Sequence, residues 1–229
     1  MPSLVLAGGN GPDSLIWWSW VGSHHGEILT RLGEHLQLAA IALFFGLVVS
    51  APLALLARRY PRTQSPILGI TGGLYTIPSL ALFFLLGPLT GFTTRLTAEV
   101  ALVSYTLLIL IRNIVAGLDS VPDEVREAAR GMGYSPVRLL LRVELPLALP
   151  GIIAGVRIAT VSTIGLVTIA AIIGQGGLGQ LILTGLSRSF HTPVVVGSVL
   201  SIALAVLADL LLLAVQRAST PWVRGGTNG

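Results

Sequence analysis

Cysteine and lysine are both missing from this 229-residue chain, and charge of either sign is scarce. Without cysteine there is no disulfide, no thiolate nucleophile and no cysteine metal ligand. The fourteen basic residues are all arginine, which by itself implies no mechanism. Charged residues make up 10% of the chain, where a soluble domain carries about 25%. So little charge cannot cover an aqueous surface. The net charge of +4, from arginines that gather into no patch with interleaved aromatics, argues against a nucleic-acid partner. The four histidines (His24, His25, His35, His191) lack a carboxylate set at ligand spacing. The adjacent His24-His25 pair is therefore read as solvated loop in preference to a metal site. A secretory signal is also missing: residues 1–13 have no basic stretch and carry a flexible Gly-Gly-Asn-Gly-Pro run, so the first span is expected to act as the insertion signal.

What the chain does have is apolar length. Hydrophobic residues make up 53% of it, and mean hydropathy is +0.84. Residues 36–57 form the first expected span, about 20 apolar residues that match the hydrocarbon thickness, ending at Arg58-Arg59-Tyr60-Pro61-Arg62. Pro52 lies near its end, where a kink costs little. The second span, 66–89, is interrupted by Gly69, Gly72, Gly73 and Pro78, within the run Tyr75-Thr76-Ile77-Pro78-Ser79-Leu80-Ala81-Leu82-Phe83-Phe84. Two readings fit this bent segment: helix packing through small residues, or a kink that lines a pathway. A turn over 87–97 leads to the third span, 98–115, with Arg112 and Asn113 at its far end. The fourth starts near Pro146 or Pro150 and runs to 173, where Gly174-Gln175-Gly176-Gly177-Leu178-Gly179 breaks it. No strand precedes this turn and no Lys-Ser or Lys-Thr follows, so it is read as a turn into a short outer helix over 180–186 and not as a phosphate loop. The fifth span, 193–215, ends at Arg217.

The domain reading is an extracytoplasmic segment 1–35, one transmembrane domain 36–217 and a tail 218–229 expected to be disordered. Trp17, Trp18 and Trp20 crowd residues 14–21, which are expected to form a short interfacial helix. Five spans put the termini on opposite sides. Arg58, Arg59, Arg62, Arg112, Arg126, Arg130, Arg138, Arg142, Arg217 and Arg224 follow odd-numbered spans, against Arg31, Arg95 and Arg188 on the other side. Ten against three places the arginine-rich side in the cytoplasm, the N-terminus outside and the C-terminus inside.

Between spans three and four lies a polar block, 116–146. Ser120-Val121-Pro122-Asp123 reads as an N-cap with a first-turn proline, opening a helix over 121–131. Glycines then permit a left-handed exit, and Ser135-Pro136 starts a second helix that Pro146 is expected to end. Val121, Val125, Ala128, Ala129 and Met132 are expected to form one apolar stripe. An amphipathic helix resting on lipid headgroups would satisfy the same pattern.

Glu127-Ala128-Ala129, Gly133 and Val143-Glu144-Leu145-Pro146 resemble the signature of permease subunits of binding-protein-dependent ABC importers. That pattern is Glu-Ala-Ala, three residues, Gly, nine residues, an aliphatic, one residue, Leu-Pro, and Val143 stands at the usual isoleucine. The resemblance implies an all-α integral membrane protein of five spans with a cytoplasmic coupling-helix loop, the type I importer permease fold. It implies that Glu127, Ala128, Ala129, Arg130, Gly131, Met132, Gly133, Leu145 and Pro146 serve docking on a separate ATP-binding cassette ATPase. ATP and Mg would sit on that partner, since this chain has no Walker lysine loop and binds no cofactor or metal. It is then a transport subunit and not an enzyme. The remaining implied partners are a second permease subunit (the same chain or a relative), an extracytoplasmic substrate-binding protein and the lipid bilayer, with no nucleic acid.

A second resemblance, over about 35–217, concerns the cargo. Thr76-Ile77-Pro78-Ser79-Leu80-Ala81-Leu82, Ile111-Arg112-Asn113 and Ile173-Gly174-Gln175-Gly176-Gly177-Leu178-Gly179 look like the glycine betaine, carnitine and choline branch. A methionine-type amino-acid importer shares the five-span plan and is the alternative; an ion-coupled secondary carrier would need more buried acids and a clear repeat. Aromatic faces hold quaternary ammonium groups, but Phe44, Phe45, Tyr75, Phe83, Phe84 and Tyr105 form no evident cage in the sequence. Pathway candidates are Tyr75, Pro78, Ser79, Phe83, Arg157, Thr160, Thr163 and Asp209, with packing roles for Arg157, Asp209 and the hydroxyls kept open.

Overall fold

The chain forms helices wherever its backbone would otherwise meet lipid, because a helix satisfies its own N–H and C=O groups without water. Residues 15–220 are described by the structure, a computed structural model, and the expectations for the lead 1–13 and for most of the tail 218–229 fall outside that range. Among the described residues there is no strand. The elements are α1 (Trp18–Ser23), α2 (His25–Arg59), α3 (Pro61–Thr76), α4 (Ser79–Thr90), α5 (Arg95–Asp119), α6 (Asp123–Gly131), α7 (Pro136–Leu139), α8 (Leu145–Ala170), α9 (Leu178–Ser187) and α10 (His191–Ser219). A π-helical turn, Leu140–Glu144, joins α7 to α8, and a 3-10 turn, Ala171–Ile173, follows α8.

Among the described residues, four segments are long and apolar enough to cross a membrane: His25–Arg59, Arg95–Asp119, Pro136–Ile173 and His191–Ser219. The pair α3 and α4, broken at Ile77-Pro78, makes a fifth when counted as one span. Contacts at the helix ends support that count. Arg58 Nε donates to Asp119 Oδ1 at 3.0 Å, so α2 and α5 end side by side. The chain must therefore cross back between them, and only residues 61–94 are there to do it.

Several boundaries differ from the sequence reading. α2 begins at His25, and its 35 residues are about 52 Å long, well beyond the hydrocarbon core. The third span runs on to Asp119, four residues past Val115. Ser120 does not cap α6: its hydroxyl donates to Gly117 O at 2.7 Å, and Pro122 stands at the N-cap without a side-chain bond. Pro146 does not end a helix either. α7, the π turn and α8 form one continuous rod through it. The wider turn just ahead of the proline gives its ring room where a regular α-turn would press it against the carbonyl four residues back.

Two compact units divide the chain. One comprises Met1–Ala42, Ile77–Leu102 and Ser162–Val206; the other comprises Leu43–Thr76, Val103–Val161 and Leu207–Gly229. In the first, Ile28, Leu178 and Leu181 are buried against Trp20, Val21, Leu32, Val196 and Leu200. Its tryptophans Trp17 and Trp20 set their rings edge-on to Phe190, at 6.2 and 5.5 Å, while Trp18 stays exposed. In the second unit, α5 and α8 pack around Leu110, Ile111, Ile114, Leu118, Ala148 and Ala159, with Ala54 from α2. The two helices meet almost backbone to backbone. A Cβ on Gly151 would lie 3.0 Å from Gly117 Cα, and one on Gly155 would lie 2.3 Å from Asn113 Cβ. Small residues at such crossings give lipid-embedded helices the van der Waals contact that holds them together.

Candidate functional site

α6 begins where Pro122, at φ −61° and ψ 144°, sets an extended entry, and Asp123 and Glu124 place negative charge at the positive end of the helix. It ends through Met132 into Gly133, whose φ of +79° is open to glycine at little cost. Tyr134 N donates to Ala129 O at 3.2 Å, closing the turn. Ser135 Oγ accepts from Arg138 N at 3.4 Å with Pro136 in the first turn, the start expected for the second helix.

The expected single stripe on α6 is divided between two faces. Val121 and Ala129 are 3% and 2% exposed and turn inward, whereas Val125, Ala128 and Met132 face outward at spacings of three and four residues. The outward face also carries Glu127, Arg130 and Gly131. It continues along the neighbouring rod as exposed Val137, Leu141 and Leu145, with Pro146 half-buried beside them. The signature residues thus split: Ala129 is buried against its own chain, Glu127, Ala128, Gly133 and Leu145 are exposed, and Val143 and Pro146 are half-buried.

Beneath α6 lies an ion cluster. Glu144 is 6% exposed. Its Oε1 and Oε2 accept from Arg58 Nη2 and Nη1 at 2.8 and 3.0 Å, and Oε1 also accepts from Arg126 Nε at 2.9 Å. Arg126 further donates to Asp123 Oδ1 at 2.5 Å and to Leu118 O at 2.7 Å. An open cleft of about 750 Å³ adjoins this cluster, with Arg58, Arg59, Arg130 and Tyr134 among its walls. Sequence reasoning passed over Glu144 because it fills the unspecified position of the signature. The signal that could have found it is an acid enclosed by apolar residues at the head of a span.

The pathway candidates are shared between the two units, Pro78, Ser79, Phe83 and Thr163 in the first and Tyr75, Arg157, Thr160 and Asp209 in the second. Arg157 and Asp209 pair with each other: Nε and Nη2 donate to the two carboxylate oxygens, both at 2.9 Å. Gln216 Oε1 accepts from Arg157 Nη1 at 3.2 Å, and Gln216 Nε2 donates to Pro150 O at 3.0 Å, so α10 is riveted to α8. Tyr75 meets Tyr105 edge-on at 6.0 Å; Tyr75 is exposed and Tyr105 buried. Phe83 is completely buried, Pro78 is exposed and Ser79 half-buried. Thr160 is buried and donates back to Val156 O at 2.7 Å; Thr163 is buried as well.

The glycine-rich turn forms a second constellation. Gly174, Gly176 and Gly177 all have positive φ. Glu34 Oε2 accepts from Gly177 N at 3.0 Å, and His35 Nδ1 accepts from Leu178 N at 3.3 Å. The other ring nitrogen of His35 donates to Ile164 O at 3.0 Å, which assigns a neutral imidazole with hydrogen on Nε2. Neither Glu34 nor the anchoring role of His35 was read from the sequence, since their partners lie 129 to 143 residues away.

Residues 42–221 match the family described as binding-protein-dependent transport system inner membrane component. The chain is 41% identical over 200 residues to the osmoprotectant import permease protein OsmW of Salmonella typhimurium, covering 86% of this chain and 93% of that protein. It is 36% identical to the choline transport system permease protein OpuBB of Bacillus subtilis, covering 86% and 90%. The glycine betaine/carnitine/choline transport system permease protein OpuCB of the same organism is 34% identical, covering 89% and 93%. Among solved structures, an inward-facing conformation of the MetNI methionine ABC transporter superposes with a TM-score of 0.74 at 25% identity, covering 84% of this chain and 96% of that one.

Proposed function

This chain belongs to the family of inner membrane components of binding-protein-dependent transport systems, and from that premise we propose that it carries osmoprotectant solutes of the glycine betaine, choline and carnitine type into the cell, driven by ATP on a separate subunit. The observation that carries the mechanism is α6. It is a short helix with both ends defined, and it exposes Glu127, Val125 and Ala128, with Met132 exposed just after it. That surface suits the cleft of an ABC ATPase, with Ala128 allowing close approach. This chain contributes the seat and the path; ATP and Mg belong to the partner.

The arginines around α6 support a cytoplasmic position for it. Gln216 ties the end of α10 to the head of α8, which supports a cytoplasmic C-terminal end for α10 as well. By the same reading the glycine-rich turn belongs to the outer side, where a substrate-binding protein would deliver solute. Most side chains along α10 from Val199 to Val215 are apolar and exposed, which suits lipid and a second permease subunit. The cargo reading rests on the relatives at 34–41% identity, one named for osmoprotectant import, one for choline and one for glycine betaine, carnitine and choline. Their names favour it over methionine, to which only the shared fold points.

The test is uptake in vesicles holding this chain, its ATPase and its binding protein. Labelled glycine betaine, choline and carnitine should enter only with ATP inside or on the ATPase side, and methionine should not compete. Uptake that persisted on an ion gradient without ATP would overturn the reading.

A further inference from the structure

Of the nine residues of α6, only Ala129 is buried, so apolar packing does little to fasten this helix to the rest of the chain. Charge does the fastening. Glu144, at the head of the α8 rod, receives three hydrogen bonds from two arginines. Arg58 comes from the last turn of α2 and also reaches Asp119 at the end of α5; Arg126 comes from α6 and also reaches Leu118 O. One carboxylate thereby joins α6 to the ends of three spans.

We propose that Glu144 is the positioning residue through which displacement of α6 is passed to α2, α5 and α8. The inference rests on the reading of α6 as the ATPase seat. The two guanidiniums are largely enclosed, with side-chain exposures of 22% for Arg58 and 12% for Arg126. Between them the carboxylate cancels a repulsion and fixes direction as well as distance, because an arginine fork binding both oxygens resists rotation. A buried ion cluster adds little net stability once desolvation is counted, so its use here is geometric. Without the charge, α6 could still seat on its partner, but its motion would be absorbed at the loosened joint.

Glu144→Gln keeps the side chain's shape and removes its charge. In vesicles with ATPase and binding protein present, it should recruit the ATPase as the unmodified chain does and still support ATP hydrolysis. Solute imported per ATP hydrolysed should fall by about tenfold or more. Arg58→Gln, which leaves the Arg126 contact in place, should show the same uncoupling, and the double variant should fall no further than the worse single one, since both act through one joint. Glu144→Asp should recover part of the ratio. An unchanged ratio in both Glu144→Gln and Arg58→Gln overturns the inference; so does loss of ATPase recruitment in both, which would make the cluster a folding element only. If the unmodified chain neither recruits the ATPase nor imports on ATP, the reading of α6 fails first. If it does both and the variants match it, the Glu144 inference alone fails.

Discussion

Gly177 sits at φ 69° and ψ −170°, a backbone conformation that side chains rarely enter. A Cβ there would also lie 3.1 Å from His35 Nδ1. Gly177→Ala should therefore lower the thermal midpoint of the purified protein, corresponding to about 1–3 kcal/mol of strain. Gly174 offers a contrast within the same turn: its φ is +76°, but no atom lies within 4 Å of an added Cβ. Gly174→Asn should be milder, because asparagine tolerates the left-handed region. Equal losses at the two positions would show that crowding against His35 contributes nothing. Removing His35 itself leaves Leu178 N–H without its acceptor in a fully buried site. His35→Leu should cost about 1–3 kcal/mol, read from the same melting experiment.

Two elements carry the design at the next scale. α6 presents its face because Gly133 turns the chain sharply after one short helix. Gly133→Asp distorts that exit, and Glu127→Lys reverses charge on the presented face. Each should abolish co-purification of the ATPase while leaving membrane insertion intact; normal recruitment by both would remove α6 as the seat. The α5–α8 pair makes a different demand, namely space. Gly151→Leu has no room beside Gly117, and overpacking of this kind costs about 1–3 kcal/mol or more. Gly165→Leu, on the same rod with nothing within 4 Å, should be tolerated. The yield of monodisperse protein in detergent separates the two, and equal yields would contradict the close crossing.

For the molecule as a whole, the missing cysteine is an experimental advantage. A single introduced thiol reports one position without background. Glu124→Cys and Ser187→Cys are both exposed sites, one on α6 and the other at the end of α9. A membrane-impermeant maleimide should label Ser187→Cys in intact cells and Glu124→Cys only in inverted vesicles. Labelling of both from one face would contradict five spans.

The sequence alone carried the scarcity of charge, the apolar lengths and the spacing of the Glu-Ala-Ala signature. These determined a multi-pass helical membrane protein and pointed to its family, because the bilayer demands continuous apolar helix and the signature is local. Helix starts were less legible: Ser120 and Pro122 look like a cap on paper, yet Ser120 bonds backward into α5. Pro146 looked like a stop, and the π turn before it lets the helix pass. The tertiary structure alone decided which residues act together. It set Glu144 between Arg58 and Arg126, matched Arg157 with Asp209, and hung the glycine-rich turn on Glu34 and His35. Each of these links spans tens of residues or more, except the eighteen between Arg126 and Glu144. Periodicity assigns a side chain to a face of its own helix; which charge meets it there depends on how distant helices pack.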